Sequence, residues 1–375
     1  MKKIYLDNNS STRIDPEVLD SMIPYFIEKY GNPSSNSHSF GWEAKAAIDL
    51  AKGQISKLIN AKSNEIIFTS GATESINLSI KGLISDNIKN QIITTSIEHK
   101  ATIDACKNIN HNNIIYIRPN KNGIIDIDKI KKSISNQTLL ISIMHANNEI
   151  GTIQPIKEIG LLCKENNIIF HVDAAQSLGK IMIDVNNMNI DLLSASSHKI
   201  YGPKGIGILY IKNKLPKLKL LPIINGGGQE ENYRGGTLPT PLIVGFGKAC
   251  ELAMKRMAND TTKINNLSSY LMDAILKKYP KTVINGSIKN RIPGNLNLTF
   301  PFLNGKSIIR MIPELAISSG SACTSSDPSP SHVLSELNIS KLAANSSIRI
   351  GIGRFNTEEE IKIASESIIK ALDKL

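Results

Sequence analysis

The sequence predicts an α/β protein, a mostly parallel sheet buried on both faces followed by a smaller α+β part. Three observations carry this. Seven short apolar, β-branched runs recur in order, "EIIFTS", "QIITTS", "NIIYI", "TLLISIM", "IIFHVD", "LLSASS" and "GILYI", and continuous apolar runs of this length fit strands covered on both faces. The segments between them carry helical stripes, as βαβ units require. After the Gly-rich "INGGGQEENYRGGTLPT" the order of elements changes, which marks a second unit.

Taken in order, "GWEAKAAIDLAKGQISKLIN" places Ala47, Ile48, Ala51, Ile55, Leu58 and Ile59 on one helical stripe before the first run. In "ATIDACKNI" Cys106 falls three residues after Ile103, and "PIKEIGLLCKENN" puts Ile156, Ile159 and Cys163 on one face. Cys250 in "FGKACELAM" falls one turn after Phe246. All three cysteines therefore read as core. A helix around Gly245 to Ala258 is followed by a separate helical pattern, "INNLSSYLMDAILKKY", then by strand-like "GNLNLTF" and "SSIRIGIGRF". The expected division is a large domain over residues 15–257 and a small domain made of residues 1–14 and 258–375.

The chain has 375 residues and is 41% hydrophobic, enough for a sizeable core. Its formal charge of +11 comes from 44 scattered Lys and Arg, and aromatics make up only 5%. No nucleic-acid-binding pattern lies beside the basic residues, so a solvated lysine-rich surface is expected and direct nucleic-acid binding is not. The N-terminus reaches Asp7 after three apolar residues, and no segment approaches transmembrane length. A cytoplasmic protein without a membrane partner is expected. Four cysteines at 106, 163, 250 and 323 form no CxxC pair and no zinc spacing, so neither a disulfide framework nor a metal is expected.

Parallel sheets bind ligands at the carboxyl ends of their strands. Following "EIIFTS", "GATES" offers a Gly71 turn and a helix start at Ala72 and Thr73, suited to an anion or to an ordinary threonine cap. "IIFHVDAAQ" ends on Asp173, a buried carboxylate that requires a cation nearby, structural or functional. "LLSASSHKIYGPKGIG" ends on Ser196, Ser197, His198 and Lys199, and a strand-end lysine is suited to a Schiff base, although many loop lysines are merely solvated. His99 and Asn148 also follow strands, while His171 reads as core and His111 as surface. Cys323 stands apart. It lies in "SSGSACTSSDPSP", a small, polar, turn-forming stretch that gives a thiol no packing role.

Together these residues describe a site for pyridoxal 5'-phosphate. The chain closely resembles the cysteine desulfurases of the NifS and IscS type, group I, in the class V aminotransferase-like family with PLP-dependent transferase fold type I. The resemblance is carried in order by "YLDNNSSTRIDPEV", "YGNPSS", "FTSGATES", "EHKA", "HANNEIGT", "HVDAAQSLGK", "SHKIYGPKGIG", "RGGTLP", "SSGSACTS" and "SSIRIGIGRF". It implies a seven-stranded sheet in the large domain and a cysteine loop on the small one. It also implies roles. Lys199 forms the Schiff base with the cofactor, Asp173 pairs with the pyridine nitrogen, His99 stacks on the ring and moves protons, and Asn148 and Gln176 contact the ring oxygen. Ala72, Thr73, Ser196 and His198 hold the phosphate, joined by Thr237 from the neighbouring subunit of a homodimer. Arg349 clamps the carboxylate of L-cysteine, and Cys323 takes its sulfur as a persulfide, releasing alanine. The sulfur then passes to an acceptor such as an iron–sulfur scaffold or a tRNA-thiolation protein.

Three departures stand out: Gly235 where members often have Ser, Ser197 where many have Gly, and an end at "KALDKL" without the tail some members use in scaffold docking. A selenocysteine lyase fits the same residues, since the substrates differ only in the chalcogen. A basic RNA-associated protein with a vestigial site is opposed by the joint presence of Lys199, Asp173, His99, Cys323 and Arg349.

Overall fold

A computed structural model describes residues 3–84, 89–108, 113–213, 218–301, 303, 305–319 and 331–375. Cys323 and His111 lie outside the described residues.

In chain order the elements are β1 (Ile4–Tyr5), α1 (Pro16–Met22), α2 (Pro24–Ile27), α3 (Ser39–Leu58), β2 (Ile66–Thr69), α4 (Ala72–Ile84), β3 (Gln91–Thr95), α5 (Lys100–Lys107), β4 (Ile114–Ile117), α6 (Ile127–Ser133), β5 (Thr138–Met144), α7 (Ile156–Glu165), β6 (Ile169–Asp173), β7 (Leu192–Ser196) and β8 (Gly207–Ile211). They continue with α8 (Thr240–Lys278), β9 (Val283–Ile284), β10 (Asn295–Thr299), α9 (Gly305–Met311), β11 (Leu315–Ala316), α10 (His332–Glu336), α11 (Lys341–Asn345), β12 (Ser347–Gly351) and α12 (Glu358–Asp373).

The seven apolar runs are the seven strands of one sheet, ordered β2-β8-β7-β6-β5-β3-β4, with β8 antiparallel to both neighbours and the other pairs parallel. Strand residues alternate between two apolar layers. Phe68, Ile93, Ile141, Leu193 and Ile208 pack with α3, α7 and α8, whereas Ile67, Ile92, Leu140, Leu192 and Leu209 pack with α4 and α5. Both faces being apolar is why the strands read as continuous hydrophobic runs rather than alternating ones. Cys106, Cys163 and Cys250 are buried in these layers, as their helical spacing predicts. Burial pushes the Cys106 thiol up to about 12 and raises those of Cys163 and Cys250 further, so none is a ready thiolate. Truncating Phe246, fully buried on α8, to alanine is expected to cost about 3–5 kcal/mol.

A second core joins Ile4 and Leu6 to Ile264, Leu267, Leu271, β10, β12 and α12. The N-terminal strand β1 runs parallel to β11, and β10 pairs antiparallel with β9 and β12. One expectation is corrected here. The two helical patterns around residue 258 are one continuous helix, α8, of 39 residues. Its buried positions stop at Ala253 and resume at Ile264, because the intervening "MKRMANDTTK" crosses from the first core to the second. That stretch contains no glycine or proline, so nothing in it breaks the helix.

Candidate active site

The carboxyl ends of β2, β5, β6 and β7 open into a cavity of about 520 Å³. Its lining includes Ala72, Thr73, His99, Asn148, Asp173, Gln176, Ser196, His198, Lys199 and Arg349, so one space gathers every predicted site residue that is described except Thr237. Thr237 is exposed and lines a separate cavity with Tyr25, Lys29 and Tyr30.

At one end, α4 begins at Ala72. Thr73 is not its cap. It lies inside the first turn, exposed, and its hydroxyl makes no hydrogen bond among the described residues. The carboxylate of Glu74 closes this turn by accepting from the Ser70 N–H at 2.8 Å, and it is held from outside by Arg234 Nε at 3.0 Å. Ser196, buried at the end of β7, likewise spends its hydroxyl on no described partner. His198 Nδ1 meets Ser11 Oγ at 3.3 Å. Burial, with Lys199, Lys204 and Lys180 as cationic neighbours, lowers the His198 imidazole to about 4 and keeps it neutral. Two unspent hydroxyls, a helix start and Lys204 fit a phosphate.

In the middle, Asp173 ends β6. One carboxylate oxygen accepts from Ala175 N–H at 2.9 Å, and no lysine or arginine among the described residues ion-pairs with it. The cations nearby are His99 and Lys199, which act on it electrostatically. Burial raises its pKa while the Ala175 N–H, His99 and Lys199 lower it. A pyridinium N–H fits such a carboxylate. His99 caps α5, its Nδ1 accepting from Ala101 N–H at 3.1 Å, which puts the neutral ring's proton on Nε2. Lys199 follows β7 in a single tight turn, and its Nζ donates to the carbonyls of Asn9 at 2.8 Å and Ser10 at 2.6 Å.

At the far end Arg349, on β12, is almost fully buried. Its guanidinium donates to Asp7 Oδ1 at 2.9 Å, Ser10 Oγ at 2.5 Å, Ser318 Oγ at 3.4 Å and the Asn148 carbonyl at 3.1 Å. Its Nε is buried without a hydrogen-bond partner among the described residues.

Sequence reasoning missed Asn9, Ser10 and Ser11, which line the cavity through the strap after β1, and Lys204 and Gly205. The strap is fixed to the lysine turn, where Thr12 N–H and Oγ1 both donate to the His198 carbonyl at 2.9 and 3.0 Å. The available signal was "DNNSST", a polar run directly after an apolar strand. Two departures have local reasons. A side chain on Gly235 would meet the backbone of Asn225 and Gly226 at 2.6–2.8 Å, so only glycine fits. Ser197 is accommodated because Gly202 has no Cβ, which would lie 2.0 Å from its hydroxyl.

The profile of the family described as Aminotransferase class-V matches residues 4–363. A cysteine desulfurase IscS of Rickettsia bellii is 51% identical over 99% of this chain and 92% of its own. The solved structure titled NifS-like protein superposes with a TM-score of 0.92 at 34% identity, covering all of both chains. One titled SspA in complex with cysteine gives 0.83 at 39% identity over 95% of this chain and all of that one.

Proposed function

The chain belongs to the class V aminotransferase family, and from that premise we propose that it is a pyridoxal-phosphate-dependent cysteine desulfurase acting through the cavity at the strand ends. It converts L-cysteine to L-alanine and moves the sulfur to a cysteine persulfide. The observation that supports this most is the convergence in one space of the Asp173 carboxylate, the Lys199 amine and the Thr73 and Ser196 hydroxyls. These residues fit the cofactor: Thr73, Ser196, His198 and the α4 start for the phosphate, Asp173 for the ring nitrogen, His99 for the ring face, and Asn148 and Gln176 for the ring oxygen. Bound there, the cofactor supplies an electron sink that acidifies the substrate's Cα hydrogen.

The chain's own residues do the rest. Arg349 binds the substrate carboxylate, exchanging part of its contact with Asp7 and Ser10 for the ligand. Lys199 Nζ, released from Asn9 and Ser10, takes the Cα proton. The Cys323 thiolate attacks the substrate sulfur, so one S–S bond forms as the C–S bond breaks. The electron pair left on carbon takes a proton to give alanine. No buried thiol replaces Cys323, since burial raises the pKa of the other three.

The persulfide sulfur passes to an acceptor protein, an iron–sulfur scaffold or a tRNA-thiolation protein, in the cytoplasm. A division into a large domain of residues 15–257 and a small one of residues 1–14 with 258–375 is supported by the two larger apolar cores, while Ile97 and Ile150 pack with Val333 and Leu334 across it. A homodimer, in which Thr237 reaches the partner's phosphate, is supported by exposed Tyr30, which lines the separate cavity with Thr237, and by exposed Phe26 and Ile27, which follow Tyr25 of that lining in sequence. Light scattering tests it, and a catalytically competent monomer would remove it.

Cys323→Ala tests the chemistry. It is expected to retain cofactor and to show a spectral change with L-cysteine, while alanine and sulfide production fall to background. Wild-type-like desulfuration by that variant would overturn the role of Cys323.

A further inference from the structure

Gln176 and Lys180 lie four residues apart on the segment leaving β6, and Lys180 Nζ donates to Gln176 Oε1 at 3.3 Å. The other end of that amide, Nε2, donates to the Asn9 carbonyl at 2.8 Å. The Asn9 carbonyl only accepts, so the amide nitrogen must face Asn9 and the amide oxygen is left to face Lys180 Nζ, which donates to it. The same Asn9 carbonyl accepts from Lys199 Nζ, which ties the amide to the active-site lysine through one atom.

Lys180 does not line the large cavity. It lines a small one of about 30 Å³ behind Asn9, and Asn9 borders both. Asp260 borders the small cavity too, but Arg354 holds it at 2.7 Å. Lys199 and Arg349 act on Lys180 as like charges, and burial above all pulls its ammonium down to about 7. A cation set among cations costs stability. Among the described residues the one hydrogen bond its side chain makes is to the amide of a residue in the site.

We propose that Lys180 is a positioning residue: by holding Gln176 Oε1 it fixes the amide so that the remaining N–H of Gln176, and not its carbonyl, serves the cofactor cavity as a donor to an anionic oxygen. This rests on the pyridoxal phosphate reading above. Losing the donor that Lys180 orients raises the proton affinity of such an oxygen.

The test uses holoenzyme loaded with pyridoxal phosphate, its visible absorbance titrated between pH 6 and 10, and cofactor retention measured by dilution. Lys180→Met is expected to move the spectral midpoint up by about 0.5 to 1 pH unit and weaken retention about 5-fold, and Lys180→Arg to restore both. Gln176→Ala is expected to shift the midpoint at least as far, and Lys180→Met added to it to change nothing more. A Lys180→Met midpoint equal to wild type, or shifts that simply add in the double variant, would overturn the proposal. Should Lys180→Met not fold, Lys180→Gln carries the same expectation at smaller amplitude. Wild type unable to take up the cofactor would instead overturn the function reading, and this inference with it.

Discussion

The two ends of the cavity are built on opposite plans. Thr73 and Ser196 leave their hydroxyls unspent on described residues, whereas Arg349 is already engaged by Asp7, Ser10, Ser318 and Asn148. The first arrangement suits a resident group, because donors that wait unpaired lose nothing when it binds. The second suits a visitor. A buried guanidinium without partners would be expensive between turnovers, so the chain supplies stand-ins that a substrate carboxylate must displace. Binding at the two ends should therefore respond differently to the loss of one partner.

The largest effect is expected midway between the ends. Lys199→Ala removes the amine that serves both, and a loss of at least about 10³-fold in desulfuration is expected. The variant should also lack the borohydride-sensitive visible band. A borohydride-reducible band at the active site in Lys199→Ala would reassign the lysine. Next, Thr73→Ala with Ser196→Ala removes two charge-assisted hydrogen bonds at the resident end, about 1.5–3 kcal/mol each. Cofactor retention should fall about 100-fold or more, measured by dialysis, while the KM for L-cysteine at saturating cofactor moves little. Arg349→Lys should do the reverse, raising KM about 30-fold through loss of the planar bidentate contact and leaving cofactor retention unchanged. Equal effects of both changes on both quantities would erase the contrast.

The floor beneath both ends makes a further test. His171 is fully buried between Ser142 and Ser194, its nitrogens 2.8 and 2.9 Å from their hydroxyls, and burial lowers it to about 3. The folded protein excludes a proton that the unfolded chain accepts near pH 6.5. Stability is then full above that value and is lost as pH falls toward 3, by about 2 kcal/mol at pH 5 from this residue. Urea unfolding across that range checks it, and His171→Asn should flatten the slope. An unchanged slope would mean that His171 is not neutral in the fold.

What the sequence made legible follows the same division. Each strand-end residue of the large sheet was readable, because a single run of apolar residues fixes where a strand stops and Asp173, Ser196 and Lys199 follow at once. The resident end is local. Asn9, Ser10 and Ser11 were missed because their place depends on pairing at long range: β1 with β11, Asp7 with Gly351, and Thr12 with the lysine turn. No periodicity marks a strap. The continuity of α8 was missed for a related reason, since a helix that changes cores loses its stripe without losing its hydrogen bonds.

The smallest effect separates the two plans most cleanly. Asp7 and the substrate carboxylate compete for the same guanidinium, and Asp7 is itself partly exposed while Arg349 is not. Asp7→Asn keeps the shape and a hydrogen-bond acceptor but removes the competing charge. Two consequences of opposite sign should follow. The free enzyme loses stability, because Arg349 keeps a weaker partner in a buried place, and a drop of about 1 kcal/mol is expected in urea unfolding without substrate. L-cysteine should bind more tightly, with KM lower by about 2- to 5-fold, since less is given up when it arrives. If Asp7 served only as scaffold, both would worsen together. A KM that rises in Asp7→Asn while Arg349→Lys also raises it would show that Asp7 holds the guanidinium in place for the substrate rather than standing in for it.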